Sequence, residues 1–141
     1  MRFPKTTAAL IFGIMASLFG CSDPTDRLEP VARKIRDGEL KPDSEGVIRV
    51  PKELAADLQT GEIYFERRAD GLTLILFPTW RGRGRDVEGY LYCSRELRAA
   101  DFYAIDWGAG GVRQHLDVGP VKLLEVEPRR PHWYRAARRL D

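Results

Sequence analysis

The stretch from Glu62 to Trp80 constrains the fold more than any other part of the chain. Between Glu62 and Arg68, Ile63 and Phe65 alternate with Glu62, Tyr64 and Glu66, the period of a half-buried strand. Asp70-Gly71 follows, and then Leu72 to Trp80, dense in apolar and β-branched side chains. Asp-Gly between two such runs favours positive φ and a tight hairpin turn. Leu72-Thr73-Leu74-Ile75-Leu76-Phe77 is apolar on both faces, which predicts a central strand covered on both sides. Pro78 has no N–H to give to a ladder and marks where that strand leaves regular pairing.

Other segments fit around this hairpin. Gly46 to Val50 predicts a short strand, and Pro51 opens a helix through Leu58, with Glu53 near its positive end and Gly61 closing it. Arg81 to Asp86 is a polar connection to a strand over Val87 to Ser94. Ser94 is a candidate cap for a helical turn over Arg95 to Ala100. Phe102 to Trp107 predicts another strand, and Gly108-Ala109-Gly110-Gly111 a turn. No helix follows those glycines, so the context a dinucleotide site requires is lacking. Val112 to Val118 alternates cleanly. Gly119-Pro120 then turns the chain into Val121 to Glu127, its expected antiparallel partner. In the tail, Trp133, Ala136, Ala137 and Leu140 stand at helical spacing, with an edge strand through Trp133-Tyr134 as the alternative. Upstream, Leu28, Val31 and Ile35 predict an amphipathic helix from Leu28 to Asp37, with Pro30 in its first turn and Gly38 as its stop.

Tight turns between consecutive strands leave no room for crossover helices, so pairing is expected to be antiparallel. The fold class is α+β: a mainly antiparallel sheet of six or seven strands with two or three short helices, the N-terminal ones on one face.

The first 20 residues read as an address. Arg2 and Lys5 are followed by an uncharged, largely apolar run from Thr6 to Phe19, shorter than the ~20 residues that a bilayer-spanning helix needs. Its length and flanks are those of a signal-peptide core. Leu18-Phe19-Gly20-Cys21 then resembles the lipobox of bacterial lipoproteins. The resemblance implies lipidation of the Cys21 thiol, cleavage after Gly20 and a mature chain held to a membrane by lipid. Ser22 after the cysteine, where inner-membrane retention favours Asp, implies the outer membrane, facing the periplasm. The expected organisation is a removed signal peptide at 1–20, a lipidated tether at 21–26 and one α+β domain over 27–141. The alternatives are a secreted soluble protein, and a buried N-terminal helix or an incorrectly assigned start.

Of the 23 Lys and Arg residues, Arg2 and Lys5 fall in the leader, so the remainder equals the 21 Asp and Glu. A neutral domain carries no field that draws it to nucleic acid, and no nucleic-acid partner is expected. The chain has two cysteines; lipidation consumes Cys21 and leaves Cys93 unpaired, so no disulfide framework is expected. No cofactor and no metal site are expected either, because His115 and His132 lie far apart without HxH, HExxH or CxxC spacing.

Three groups remain as candidate chemistry. Arg81-Gly82-Arg83-Gly84-Arg85 sets three guanidinium groups on a bendable loop, able to clamp phosphate or carboxylate. His115 and Asp117, two apart on a strand, share a face. Cys93 alternates with Leu91, which points to a buried, inert thiol rather than a nucleophile. Tyr90, Tyr92, Tyr103 and Trp107 could form a binding platform, though core and cross-strand packing accounts for them more simply. The reading that follows is a membrane-anchored, non-catalytic binding or adaptor domain of the cell envelope. Its expected partner is an anionic envelope component or an envelope protein. The alternatives are a small periplasmic hydrolase using Cys93 or His115/Asp117, and a structural envelope component.

Overall fold

The computed structural model describes residues 23–139 apart from 57, 59, 85 and 107–111. The chain divides into two compact units, Met1–Arg33 and Lys34–Asp141. Helix α1 (Thr25–Arg36) runs across the division and starts three residues before the apolar spacing predicts. The cause is Asp23, whose carboxylate accepts the Thr25 backbone N–H at 2.9 Å and the Thr25 hydroxyl at 2.7 Å. Pro30 therefore lies inside the helix rather than in its first turn. Leu28, Val31, Ala32 and Ile35 form its buried stripe. Gly38, at φ +84°, ends it as expected, and the Glu39 N–H returns to the Lys34 carbonyl at 2.9 Å.

Nine strands occur among the described residues: β1 (Val47–Arg49), β2 (Glu62–Arg67), β3 (Thr73–Arg81), β4 (Val87–Cys93), β5 (Tyr103–Asp106), β6 (Val112–Val118), β7 (Val121–Leu123), β8 (Glu125–Arg130) and β9 (Trp133–Arg138). They form a six-stranded sheet, β1-β2-β3-β4-β9-β8, and a three-stranded sheet, β5-β6-β7. Every pairing is antiparallel. The mainly antiparallel α+β class holds. The expected six or seven strands become nine in two sheets, and the expected two or three helices become α1 and two 3-10 turns among the described residues.

The elements differ from expectation at four places. The Pro51 helix shrinks to a single 3-10 turn, Lys52–Leu54. Ser94 caps no helix; its hydroxyl accepts the Thr73 N–H at 2.9 Å, and the 3-10 turn forms later, over Ala99–Asp101. The predicted strand over 121–127 breaks at Leu124, where the chain passes from one sheet to the other and the Leu124 N–H bonds the Ala137 carbonyl at 3.0 Å. The tail is a strand, and an interior one between β4 and β8 rather than an edge.

The β2–β3 hairpin turns through four residues. The Gly71 N–H bonds the Arg68 carbonyl at 2.9 Å, and Gly71 alone of the Asp-Gly pair has positive φ. The geometry is thus a longer loop ending in a left-handed glycine, not the two-residue mirror-image turn.

As predicted, β3 is buried on both faces. On one side Leu74 and Leu76 join Tyr64, Leu91, Cys93, Tyr134 and Ala136 in a core shared with Leu116, Val118, Val121 and Leu123 of the smaller sheet. On the other side Ile75 and Phe77 are fully buried, Phe77 packs on Trp133, and the Arg36 guanidinium lies 4.6 Å from the centre of the Tyr92 ring.

The smaller sheet docks through backbone. Gly46, at φ +84°, lies so close to β2 that a Cβ there would sit 2.5 Å from the Phe65 carbonyl oxygen and 3.2 Å from the Gly119 Cα. The Gly119 N–H bonds the Glu66 carboxylate at 2.9 Å. The β6–β7 turn is thereby held on β2.

Pro78 does mark the irregularity, but the strand runs on past it. Pairing with β4 shifts register between Pro78 and Trp80, so Trp80 opposes Glu88 and Arg81 opposes Val87. Gly89 faces Pro78, and a Cβ on Gly89 would overlap the Phe77 carbonyl. Two substitutions test this description by urea midpoint. Leu74→Ala should cost about 2–5 kcal/mol through the cavity it leaves. Gly89→Ala should cost about 1–3 kcal/mol, because the obstruction is backbone; an unchanged midpoint would show that the bulge gives way freely.

A candidate anion-binding cleft

The shift at Pro78 decides which side chain reaches the inner face. Before it, the even-numbered residues Leu74 and Leu76 point into the core between the sheets. After it, Arg81 shares a face with Val87, and Trp80 is turned to the opposite side. Val87 in turn pairs with Arg138 on β9. Arg81 and Arg138 therefore flank Val87 on one face, two strands apart.

Around them opens a cleft of about 290 Å³, whose polar lining is Arg81, Arg138, Lys122 and Tyr64, with Val87, Pro120 and Val121 as its apolar part. Among the described residues no carboxylate belongs to this lining. Arg81 donates to the Tyr64 hydroxyl, which donates to Glu62 at 2.9 Å. Burial, and then the bond to Glu62, push the Tyr64 phenol above its ordinary pKa, so it stays protonated. Among the described residues no carboxylate pairs directly with Arg81. Arg138 and Lys122 each approach a carboxylate outside the lining, Asp86 and Asp117, both at 3.5 Å. Those separations exceed the ~2.7–2.9 Å of a full charge-assisted bond, so most donor capacity remains unspent.

Two other clefts differ in balance. One of about 110 Å³ sets Glu88, Glu125 and Glu127 against Arg135 and Arg139, which already pair with Glu88. The other, about 450 Å³, has Arg129, Arg130 and His132 beside Glu96. His132 holds φ +70° there, secured by its Nδ1–H to the Cys93 carbonyl at 2.8 Å and by its own carbonyl accepting the Cys93 N–H at 2.8 Å.

The arginines anticipated from the sequence separate. Arg81 lines the cleft; Arg83 is exposed and does not, and Arg85 lies outside the described residues. Lys122 and Arg138, which join Arg81 instead, carried no local sequence signal. Cys21 is outside the described residues, as are Trp107 and the glycine run after it.

The catalytic candidates fare differently. Cys93 is fully buried on the inner face, and its thiol is pushed well up by burial and then by Asp101, so no thiolate is offered to a substrate. His115 donates from Nδ1 to Asp117 at 2.7 Å and is buried, not part of a solvated strand face. Its ring packs against Tyr103, which is half exposed and carries the Arg68 guanidinium over its own ring. Among the described residues no group of three or more His, Cys, Asp or Glu is placed to hold a metal ion.

Beside this, Asp101 pins the chain between β4 and β5. It accepts two bonds from Arg95, each 2.9 Å, and the Arg98 N–H at 2.6 Å. The Arg95 bonds hold its carboxyl at about 2, below the ordinary 3.8, despite burial.

Compared with known proteins, the chain matches no family model, no curated protein and no solved structure.

Two outcomes are expected. Iodoacetamide should leave Cys93 unmodified in the native protein and alkylate it in denaturant, as peptide mass spectrometry would show. A depressed carboxyl pKa adds stability that is complete above the ordinary value and lost as pH falls through the folded one. Wild-type stability should thus drop between about pH 4 and pH 2. Asp101→Asn, costing about 2 kcal/mol at neutral pH, should flatten that drop in the urea midpoint.

Proposed function

We propose that this chain is a bacterial lipoprotein, anchored through Cys21, whose domain binds an anionic component of the cell envelope without catalysing a reaction. The observation that carries the binding half is the placement of Arg81 and Arg138 on either side of Val87, in a cleft that no carboxylate among the described residues lines. Guanidinium groups with spare donors recognise oxyanions in fixed geometry. The anchoring half rests on Leu18-Phe19-Gly20-Cys21 and the short apolar run before it, and implies the periplasmic face of the outer membrane. No described helix is long and apolar enough to cross a membrane.

A hydrolase reading draws support from the His115–Asp117 bond, which orients the imidazole as a general base requires. Its thiol arm loses support from the burial of Cys93.

Cys21→Ser should abolish palmitate incorporation and leave the precursor unprocessed; equal labelling of variant and wild type would overturn the anchor. Delipidated protein should co-sediment with isolated envelope fragments at low salt and release at high salt. Arg81→Gln with Lys122→Gln should weaken that association about tenfold or more with stability nearly unchanged, since both side chains are exposed. Equal sedimentation by the double variant would remove the cleft as the site.

A further inference from the structure

We infer that the ligand of this cleft is a phosphomonoester, its phosphate held by Arg81, Arg138 and Lys122 and its carbon-bearing part resting on the exposed Pro120, with Val87 and Val121 beneath; the inference rests on the anion-binding reading above. Three features of the cleft carry it. The first is the number and spread of donors. A carboxylate presents two oxygens in one plane and is satisfied by a single guanidinium fork. Here two guanidinium groups stand on strands β3 and β9, separated by β4, and strand spacing sets them ~10 Å apart at the backbone. Lys122 adds a third cation from β7 of the smaller sheet. A tetrahedral group with three terminal oxygens pointing in different directions meets donors from three strands; a planar one does not.

The second is protonation. The phenol of Tyr64 is held neutral and already takes one Arg81 N–H, which fixes that guanidinium against the wall and leaves its remaining donors for a ligand. The Arg138 and Lys122 contacts to Asp86 and Asp117, at 3.5 Å, leave both groups able to turn toward an anion of higher charge than a carboxylate. A phosphomonoester supplies that charge, about −1.5 to −2 at neutral pH.

The third is size and surface. About 290 Å³ lies at the small end of ligand sites. It exceeds what a bare phosphate fills, and the unused part of the lining is Val87, Pro120 and Val121. A small phosphorylated polyol, or the headgroup of a phosphomonoester lipid, fits that division into charged and apolar halves.

The test uses the full chain in a nonionic detergent at low salt, titrated calorimetrically with glycerol 3-phosphate, inorganic phosphate and glycerate. Glycerol 3-phosphate should bind more tightly than inorganic phosphate, through its carbon part, and about tenfold or more tighter than glycerate. Its binding should weaken as pH falls through about 6, where the phosphate takes up a proton. Arg81→Gln and Lys122→Gln, each with an unchanged unfolding midpoint, should each weaken binding about tenfold. A parallel arm with phosphatidylcholine vesicles carrying phosphatidate or phosphatidylglycerol separates the sources. Preference for phosphatidate places the phosphomonoester on a lipid, and retention of glycerol 3-phosphate binding without vesicle binding places it on a soluble molecule. Glycerate binding as tightly as glycerol 3-phosphate overturns the phosphomonoester and leaves the anion-binding reading standing. Absence of binding by every anion and both vesicles, together with unaltered envelope co-sedimentation of the variants, overturns both.

Discussion

One extra residue in β3 sets the arrangement of the cleft. Pairing with β4 passes over Thr79, so that Pro78 opposes Gly89 and Trp80 opposes Glu88. Side chains alternate with a period of two, so a single inserted residue exchanges the faces of everything beyond it. Trp80, which regular pairing would have sent into the core side, goes outward and lies across Gly82, where any Cβ would meet its ring. Arg81 takes the inner side in its place. A buried apolar strand and a charged cleft are thus consecutive parts of one β-strand.

That cleft depends equally on the second sheet. Lys122, Pro120 and Val121 reach it because the β6–β7 turn is drawn against β2 by two glycines in backbone contact and by the Gly119–Glu66 bond. The apolar residues beneath belong to both sheets. A ligand touching Arg81 and Lys122 together would bridge the sheets and add to whatever already holds them, as any ligand of the native state does.

Much of the framework is legible in the sequence. The Asp-Gly turn and the doubly apolar run through Leu74 and Leu76 specify the hairpin and its interior position, and Cys93 is marked as core by Leu91 beside it. The alternation of Ile63 and Phe65 misleads, since Tyr64 between them joins the shared core and Phe65 is only half-buried. What escapes depends on distant partners. Nothing at Leu124 resembles a turn residue, since the break there arises from the Ala137 carbonyl available across the sheet. Trp133, Ala136 and Ala137 suit a helix as well as a strand, and only the vacant edge of β4 decides between them. The same holds for the cleft: Arg81 stands out in an Arg-Gly run, whereas Lys122 and Arg138 acquire meaning only from the register that brings them beside it.

The order in which the large sheet is completed bears on how such a chain reaches its native state. Strands β1 to β4 form a meander of neighbours, but the interior place beside β4 belongs to β9, which is separated from it by the whole of the smaller sheet and β8. Until β9 arrives, the strand carrying Leu91, Tyr92 and Cys93 offers an open, greasy edge of the kind that recruits other chains. Closing it requires a contact spanning some forty residues, slow by the ordinary dependence of folding rate on loop closure. A nascent chain ending before Trp133 is therefore a sticky species, and its safe passage rests on being kept from its neighbours until the last strand is in place.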